Sequence, residues 1–406
     1  NKYIRLSIRL MWIVFLLNLA GFIGLLISTI IGNFGAGWYM LYPLPFILET
    51  WHPYTTTLII LSLSFWGFSW LFIFLDILRA TAQEFGLSSI LCIEYIINKD
   101  TKLDVKPIII VSSASAIAGI ISMFSGANLL VLYILKWENL RLNLDPLLLK
   151  NMVFLFGHTL VNITIYFIIA CVYEILPMYT NRPWKSNKII SIAWTSTVFL
   201  VIGAFLHHLT LDFDQSFIFQ IIGQVSSYFS AVPATCVTII GVFNQVYKCG
   251  MKYNFTVYCF FLGMMGWIIG GFAAVVDSTI PINFTFHNTM WVPGHFHTYF
   301  LMGFFLMFLG YINHHLNYNS ENPLSNSNKG ALLSLILLII GGYGFVLMFY
   351  VGGFFSVPRR FADYSYIPID SLKIVSVNLA YYASFFAILF FIGLILNLVS
   401  FYYKNK

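Results

Sequence analysis

The chain has 406 residues, 59% of them hydrophobic and only 9% charged, with a mean hydropathy of +0.84. That leaves too little polar surface to cover a soluble globule of this length. The formal charge of +6 follows the alternation of loops rather than forming a basic face, which argues against a nucleic-acid partner. The five cysteines (Cys92, Cys171, Cys236, Cys249 and Cys259) show no paired spacing, and most lie in apolar stretches where a free thiol acts as a small hydrophobe.

Apolar runs recur at about residues 11–31, 55–78, 107–135, 151–176, 189–208, 215–246, 254–276, 291–313, 331–352 and 373–403. Each is long enough to cross a hydrocarbon core. The expected fold is all-α: a polytopic transmembrane bundle of about ten spanning helices, one integral membrane domain over residues 1–406. The first run is too long and too like the others to be a signal peptide.

Basic residues gather in alternate loops: Lys2, Arg5 and Arg9; Arg79, Lys99, Lys102 and Lys106; Arg182, Lys185 and Lys188; Lys248 and Lys252; Lys329; Lys404 and Lys406. By the positive-inside rule these face the cytoplasm, giving a multi-pass protein with both termini inside. Lys136, Arg141 and Lys150 run against that rule, as do Arg359 and Arg360. The glycines between Gly263 and Gly271 suit close helix packing in lipid.

On this topology, six of the nine histidines share one level in the outer third of the membrane: His158, His207, His208, His287, His295 and His297. Liganding side chains inside a bilayer are costly and by default suggest function. His207 and His208 close the fifth run, and with His158 from its neighbour they form a three-imidazole set with an open position. Such a set suits copper, iron or zinc, and only the first two are redox-active. His295 and His297 lie two residues apart, which turns the side chains through roughly 200° on a helix. They are poorly placed to share a metal and well placed to hold one cofactor on each side; the plain alternative is an interfacial pair bonded to carbonyls. Arg359 and Arg360 suit carboxylate groups or lipid headgroups equally. His52 reads as interfacial beside Trp51, and His314 and His315 as solvent-exposed at the opposite membrane side.

Four stretches carry a resemblance. They are Gly157-His158-Thr159-Leu160-Val161 continuing to Tyr173-Glu174-Ile175-Leu176-Pro177; Gly203 to His208; His287 to His297; and Val357-Pro358-Arg359-Arg360. In order and spacing they resemble the catalytic subunit I of the haem–copper oxidase superfamily, specifically its B-family. The resemblance implies that His158, His207 and His208 bind the copper called CuB. It implies that His295 ligates a high-spin haem and His297 a low-spin haem, with His287, Arg359 and Arg360 at the propionates and Asn283 as a further cofactor-binding residue. The location implied is the prokaryotic cytoplasmic membrane.

Two departures shape the expected function. The family core has twelve helices and this sequence matches helices III–XII, so the second low-spin haem ligand is expected from a second subunit carrying helices I and II, or from a longer parent sequence. The second concerns the fourth residue after the copper-binding His158. Oxygen-reducing B-family enzymes place a cross-linked tyrosine there; this chain has Asn162. Tyr166 is eight residues on, about 12 Å along a helix, and cannot substitute. The hydroxyl-bearing positions leading to that tyrosine align with Ala234, Val237 and Ile240, although Thr235, Thr238 and Tyr173 remain. Asn162 and Tyr173 are the candidate catalytic residues. Glu174, roughly 24 Å beyond His158 on a helix, cannot ligate, which favours copper over non-haem iron. The expectation is a respiratory subunit reducing NO to N2O; the alternative is a terminal oxidase reducing O2 to water. A non-catalytic transport or assembly role finds no internal repeat to support it. Neither a CxxCH motif nor a paired-cysteine copper site occurs, so electrons are expected from a copper or cytochrome c subunit or from quinol.

Overall fold

A serine opens the first helix: the Ser7 hydroxyl accepts from the Leu10 amide at 3.4 Å, while the Ser7 amide donates to Asp76 at 2.7 Å. Asp76 is buried and pairs with Arg79 at 2.6 Å, so a single carboxylate ties the start of one helix to the end of the next. The computed structural model describes residues 3–35, 41–43, 46, 51–94, 105–139, 141–185, 188–212, 215–251, 253–317, 329–359 and 367–404.

Among these residues ten helices are long and apolar enough to span a membrane. They are α1 (Ile8–Ile31), α2 (Tyr54–Glu84), α3 (Pro107–Glu138), α4 (Pro146–Thr180), α5 (Lys188–Leu209), α6 (Phe217–Val246), α7 (Phe255–Ser278), α8 (Trp291–Asn317), α9 (Lys329–Phe354) and α10 (Asp370–Ser400). Helices are the natural outcome here, because apolar chain in lipid must satisfy every backbone group internally. The described residues form no strand, only one isolated bridge between Thr289 and Pro358.

The chain divides into two compact units, Asn1–Phe167 with Lys185–Ala234, and Ile168–Trp184 with Thr235–Lys406. Helices α4 and α6 each contribute to both. In the first unit, Ile59, Ile60, Leu129, Tyr133, Leu149 and Val153 form a buried cluster, with a second around Phe154, Phe205, Leu206 and Leu209. In the second unit, Met302, Leu306, Leu338, Val346 and Phe390 form the core. The glycine-rich face of α7 packs as expected: a Cβ on Gly266 would lie 2.3 Å from the Met302 carbonyl oxygen, so the α7 and α8 backbones touch.

Two of the lysines that run against the loop-charge rule are engaged inside the first unit. Lys136 donates to the Leu142 carbonyl at 2.7 Å, and Lys150 pairs with Asp212 at 2.6 Å. One expectation fails in the second unit. His315 is exposed, but His314 is buried, its Nδ1 hydrogen-bonded with the Tyr179 hydroxyl at 3.1 Å. The physical reason is that the end of α8 turns its polar residues inward: Asn313, His314 and Asn317 are all buried, and Thr256 donates to Asn313 at 3.3 Å.

Candidate metal centre and paired histidine site

His158 projects from α4, and His207 and His208 from the end of α5, where the helix tightens into a 3-10 turn over Phe205–Leu209. A 3-10 turn separates neighbours by about 120° rather than 100°. Even so, the two rings lie with centroids 4.1 Å apart, and each is near His158, at 5.2 Å and 5.4 Å. One ligand nitrogen from each of the three residues falls within 4.8 Å of the others. Three imidazole nitrogens this close could together hold a copper, iron or zinc ion and leave a position open.

Helix α6 orients this set through two residues one turn apart. Ser227 donates to the Gly223 carbonyl at 2.6 Å, so its oxygen accepts from Nδ1–H of His207 at 2.9 Å. That fixes the tautomer and aims Nε2 as the lone-pair nitrogen, the usual second partner of a metal-binding histidine. Gly223 permits the approach: a Cβ there would lie 2.8 Å from the His207 amide nitrogen. Phe154, one turn before His158, stacks on His208 at 5.0 Å and 23°. Asn162 turns its amide back onto its own helix and donates to the His158 carbonyl at 2.8 Å. Sequence reasoning missed Ser227, Gly223 and Phe154; the small–x–x–x–Ser spacing on α6 was the available signal.

In the second unit, His295 and His297 open α8 and leave opposite faces, as their spacing requires. His295 turns toward α7, with its Nδ1 donating to the Gly270 carbonyl at 3.1 Å. His297 turns toward α9, with rings of Phe345 and Phe349 at 5.6 Å and 5.1 Å, and its Nδ1 donates to the Pro293 carbonyl at 2.7 Å. With Nδ1 bonded to a carbonyl in each ring, Nε2 is the nitrogen that could ligate a metal. Immediately afterwards α8 widens into a π-helical stretch over Thr298–Phe305, a local insertion frequent at functional sites and invisible in the sequence.

Above them, the bridge from Thr289 to Pro358 and the bond from the Met290 amide to the Val357 carbonyl at 2.8 Å join two loops. This brings Arg359 to Asn288, with its Nε and Nη2 at 3.4 Å and 3.3 Å from Oδ1. Next to Asn288, His287 donates from Nδ1 to Asn283 at 3.1 Å, and Asn283 donates in turn to the Asp277 carbonyl. An arginine and a histidine on one rim suit carboxylate groups. Arg360 lies outside the described residues. Tyr173, in the second unit, shares a hydrogen bond with Thr238 at 2.5 Å, so the hydroxyl noted beside the thinned positions does reach it.

Residues 4–400 match the family described as Cytochrome C and Quinol oxidase polypeptide I. The chain belongs to that family. It is 26% identical over 247 residues to a cytochrome c oxidase subunit 1 of Thermus thermophilus, covering 57% of this chain and 44% of that one. It is 24% identical over 239 residues to the Synechocystis subunit 1, covering 58% and 42%. The chain thus spans less than half the length of these relatives. A haem–copper terminal oxidase dimer solved by cryo-EM superposes with a TM-score of 0.76 over 98% of this chain and 70% of that one, at 18% identity. The fold is shared across nearly the whole sequence.

Proposed function

We propose that this family member is a B-family catalytic subunit that reduces NO to N2O. Residue 162 carries the choice. Its side chain is an amide committed to the His158 carbonyl, so the position beside the copper ligand offers no phenol to give up an electron and a proton. Cleaving O2 in four electrons calls for that extra equivalent, whereas coupling two NO molecules takes only two.

The geometry of the described candidate residues is consistent with the following roles, and Arg360 takes its role from the resemblance alone. His158, His207 and His208 suit CuB, with Ser227 holding the His207 tautomer. His295 is assigned to the high-spin haem and His297 to the low-spin haem as the family resemblance implies, and their departure from opposite faces of α8 allows two separate groups. Iron and copper held by these residues would supply the electrons and the open positions that a diatomic gas needs. Arg359, Arg360, His287 and Asn283 are assigned to the propionate rim. Tyr173 and Thr238 are assigned to proton delivery. The second ligand of the low-spin haem is assigned to a partner subunit. Of the other histidines, His52 stacks on Tyr54 and His314 bonds Tyr179. Electrons are assigned to a copper or cytochrome c subunit or to quinol, and the membrane to the prokaryotic cytoplasmic membrane with both termini inside.

The second reading, reduction of O2 to water, is favoured by the Thermus and Synechocystis relatives, which are cytochrome c oxidase subunits. Turnover of the purified complex with NO and with O2 under one reductant separates the two. N2O formation with slow oxygen consumption is expected. Fast, clean reduction of O2 with negligible NO turnover would reverse the assignment.

A further inference from the structure

The strap that follows α4 has an arrangement none of the assigned roles explains. Asn181 takes a left-handed conformation (φ 52°), which ends α4 and turns the chain back on itself. The next residue pins it: Arg182 donates to the carbonyls of Asn244 at 3.0 Å, Tyr247 at 2.6 Å and Lys248 at 3.2 Å, at the end of α6. Held this way, Trp184 lands in the groove between α4 and α6. Its ring centroid lies 4.4 Å from that of Tyr173. Its seat on α6 is Gly241, where a Cβ would lie 2.1 Å from the indole ring.

Polar side chains line the same groove at two levels. Tyr173 bonds Thr238 at 2.5 Å, and Thr180 donates to Gln245 at 2.8 Å. The two levels are seven residues apart on both helices, hence on the same faces and about 10 Å apart along the axis. That gap is too long for a direct proton hop and needs water to bridge it. At Gly241, between the two levels, lies the carbocyclic edge of the indole, which carries no group able to pass a proton.

We propose that Trp184 is a gate on the route by which protons reach Tyr173, closed when the indole is seated on Gly241 and opened when the strap swings away to admit water. The proposal rests on the assignment of Tyr173 to proton delivery. Trp184 positions and excludes water; it is not itself a proton carrier.

The test uses the full complex in membranes, with Cys236 and Cys249 replaced by Ser and Val242→Cys as the reporter, because Val242 is buried and adjoins Gly241 on α6. Trp184→Ala should raise the alkylation rate of that reporter by about tenfold or more, as local opening replaces burial. Gly241→Ala should do the same, since a methyl group and the indole cannot share the seat. The double variant should be no faster than the singles, and Trp184→Phe should restore slow labelling. The haem spectrum confirms folding in each case. In Trp184→Ala the pH profile of turnover should also shift, because proton entry no longer waits on opening. Unchanged labelling, or faster labelling with an unchanged pH profile, would overturn the gate. Full turnover by Tyr173→Phe would remove the route and the gate together, whereas an inactive Tyr173→Phe combined with unchanged labelling of Trp184→Ala would remove the gate alone.

Discussion

At the scale of single residues, the His207 imidazole shows how much a candidate metal ligand owes to a neighbouring side chain. The Ser227 oxygen accepts from Nδ1 and so decides which nitrogen faces His158 and His208. Ser227→Ala is expected to weaken copper binding by about 10- to 100-fold. Metal titration of the purified complex measures this, with the low-spin haem spectrum unchanged. Asn162 makes the opposite point, since its amide spends its donor on its own helix. Asn162→Tyr alone is expected to leave O2 reduction slow, because Ala234 and Val237 still carry no hydroxyl. Oxygen electrode traces of that variant should resemble those of the unmodified complex, and recovery of rapid turnover would show that the phenol alone had been missing.

At the scale of elements, the close pass of α6 over the end of α5 shapes the candidate metal site. Gly223 lies where a Cβ would meet the His207 amide at 2.8 Å, and backbone cannot move aside as a flexible side chain can. Gly223→Ala is therefore expected to cost about 1–3 kcal/mol in overpacking and to lift Ser227 from His207. Lower thermal stability should accompany lower copper occupancy. Gly67→Ala on α2 is the control, because nothing lies within 4 Å of a Cβ built there. That substitution should be neutral or stabilising by up to about 1 kcal/mol, as expected for Gly→Ala in a helix interior. Equal behaviour of the two variants would show that the close pass does not hold the site.

At the scale of the whole molecule, the candidate copper ligands belong to one compact unit and the paired histidines to the other. Losses of the two cofactors should therefore separate. His207→Ala is expected to abolish copper loading and turnover while keeping the low-spin haem spectrum. His297→Ala is expected to remove the low-spin signal first. Optical spectra and metal analysis of both variants decide the matter, and parallel loss of everything in either one would indicate a folding defect instead.

Much of this was written in the sequence because a bilayer imposes one-dimensional constraints. A span must be about 20 apolar residues long, so the ten helices follow from composition. A separation of two residues on a helix must put His295 and His297 on opposite faces, and they face α7 and α9 as that requires. His158 could be grouped with His207 and His208 because helix length fixes depth. Which residue on another helix meets a given ring depends on rotation and on distance between axes, which no local pattern encodes. Hence Ser227, Gly223 and Trp184 appeared only with the fold, and buried His314 was misread as exposed. The spacing along a helix determined which ligands share a level; packing between helices decided how those ligands are aimed.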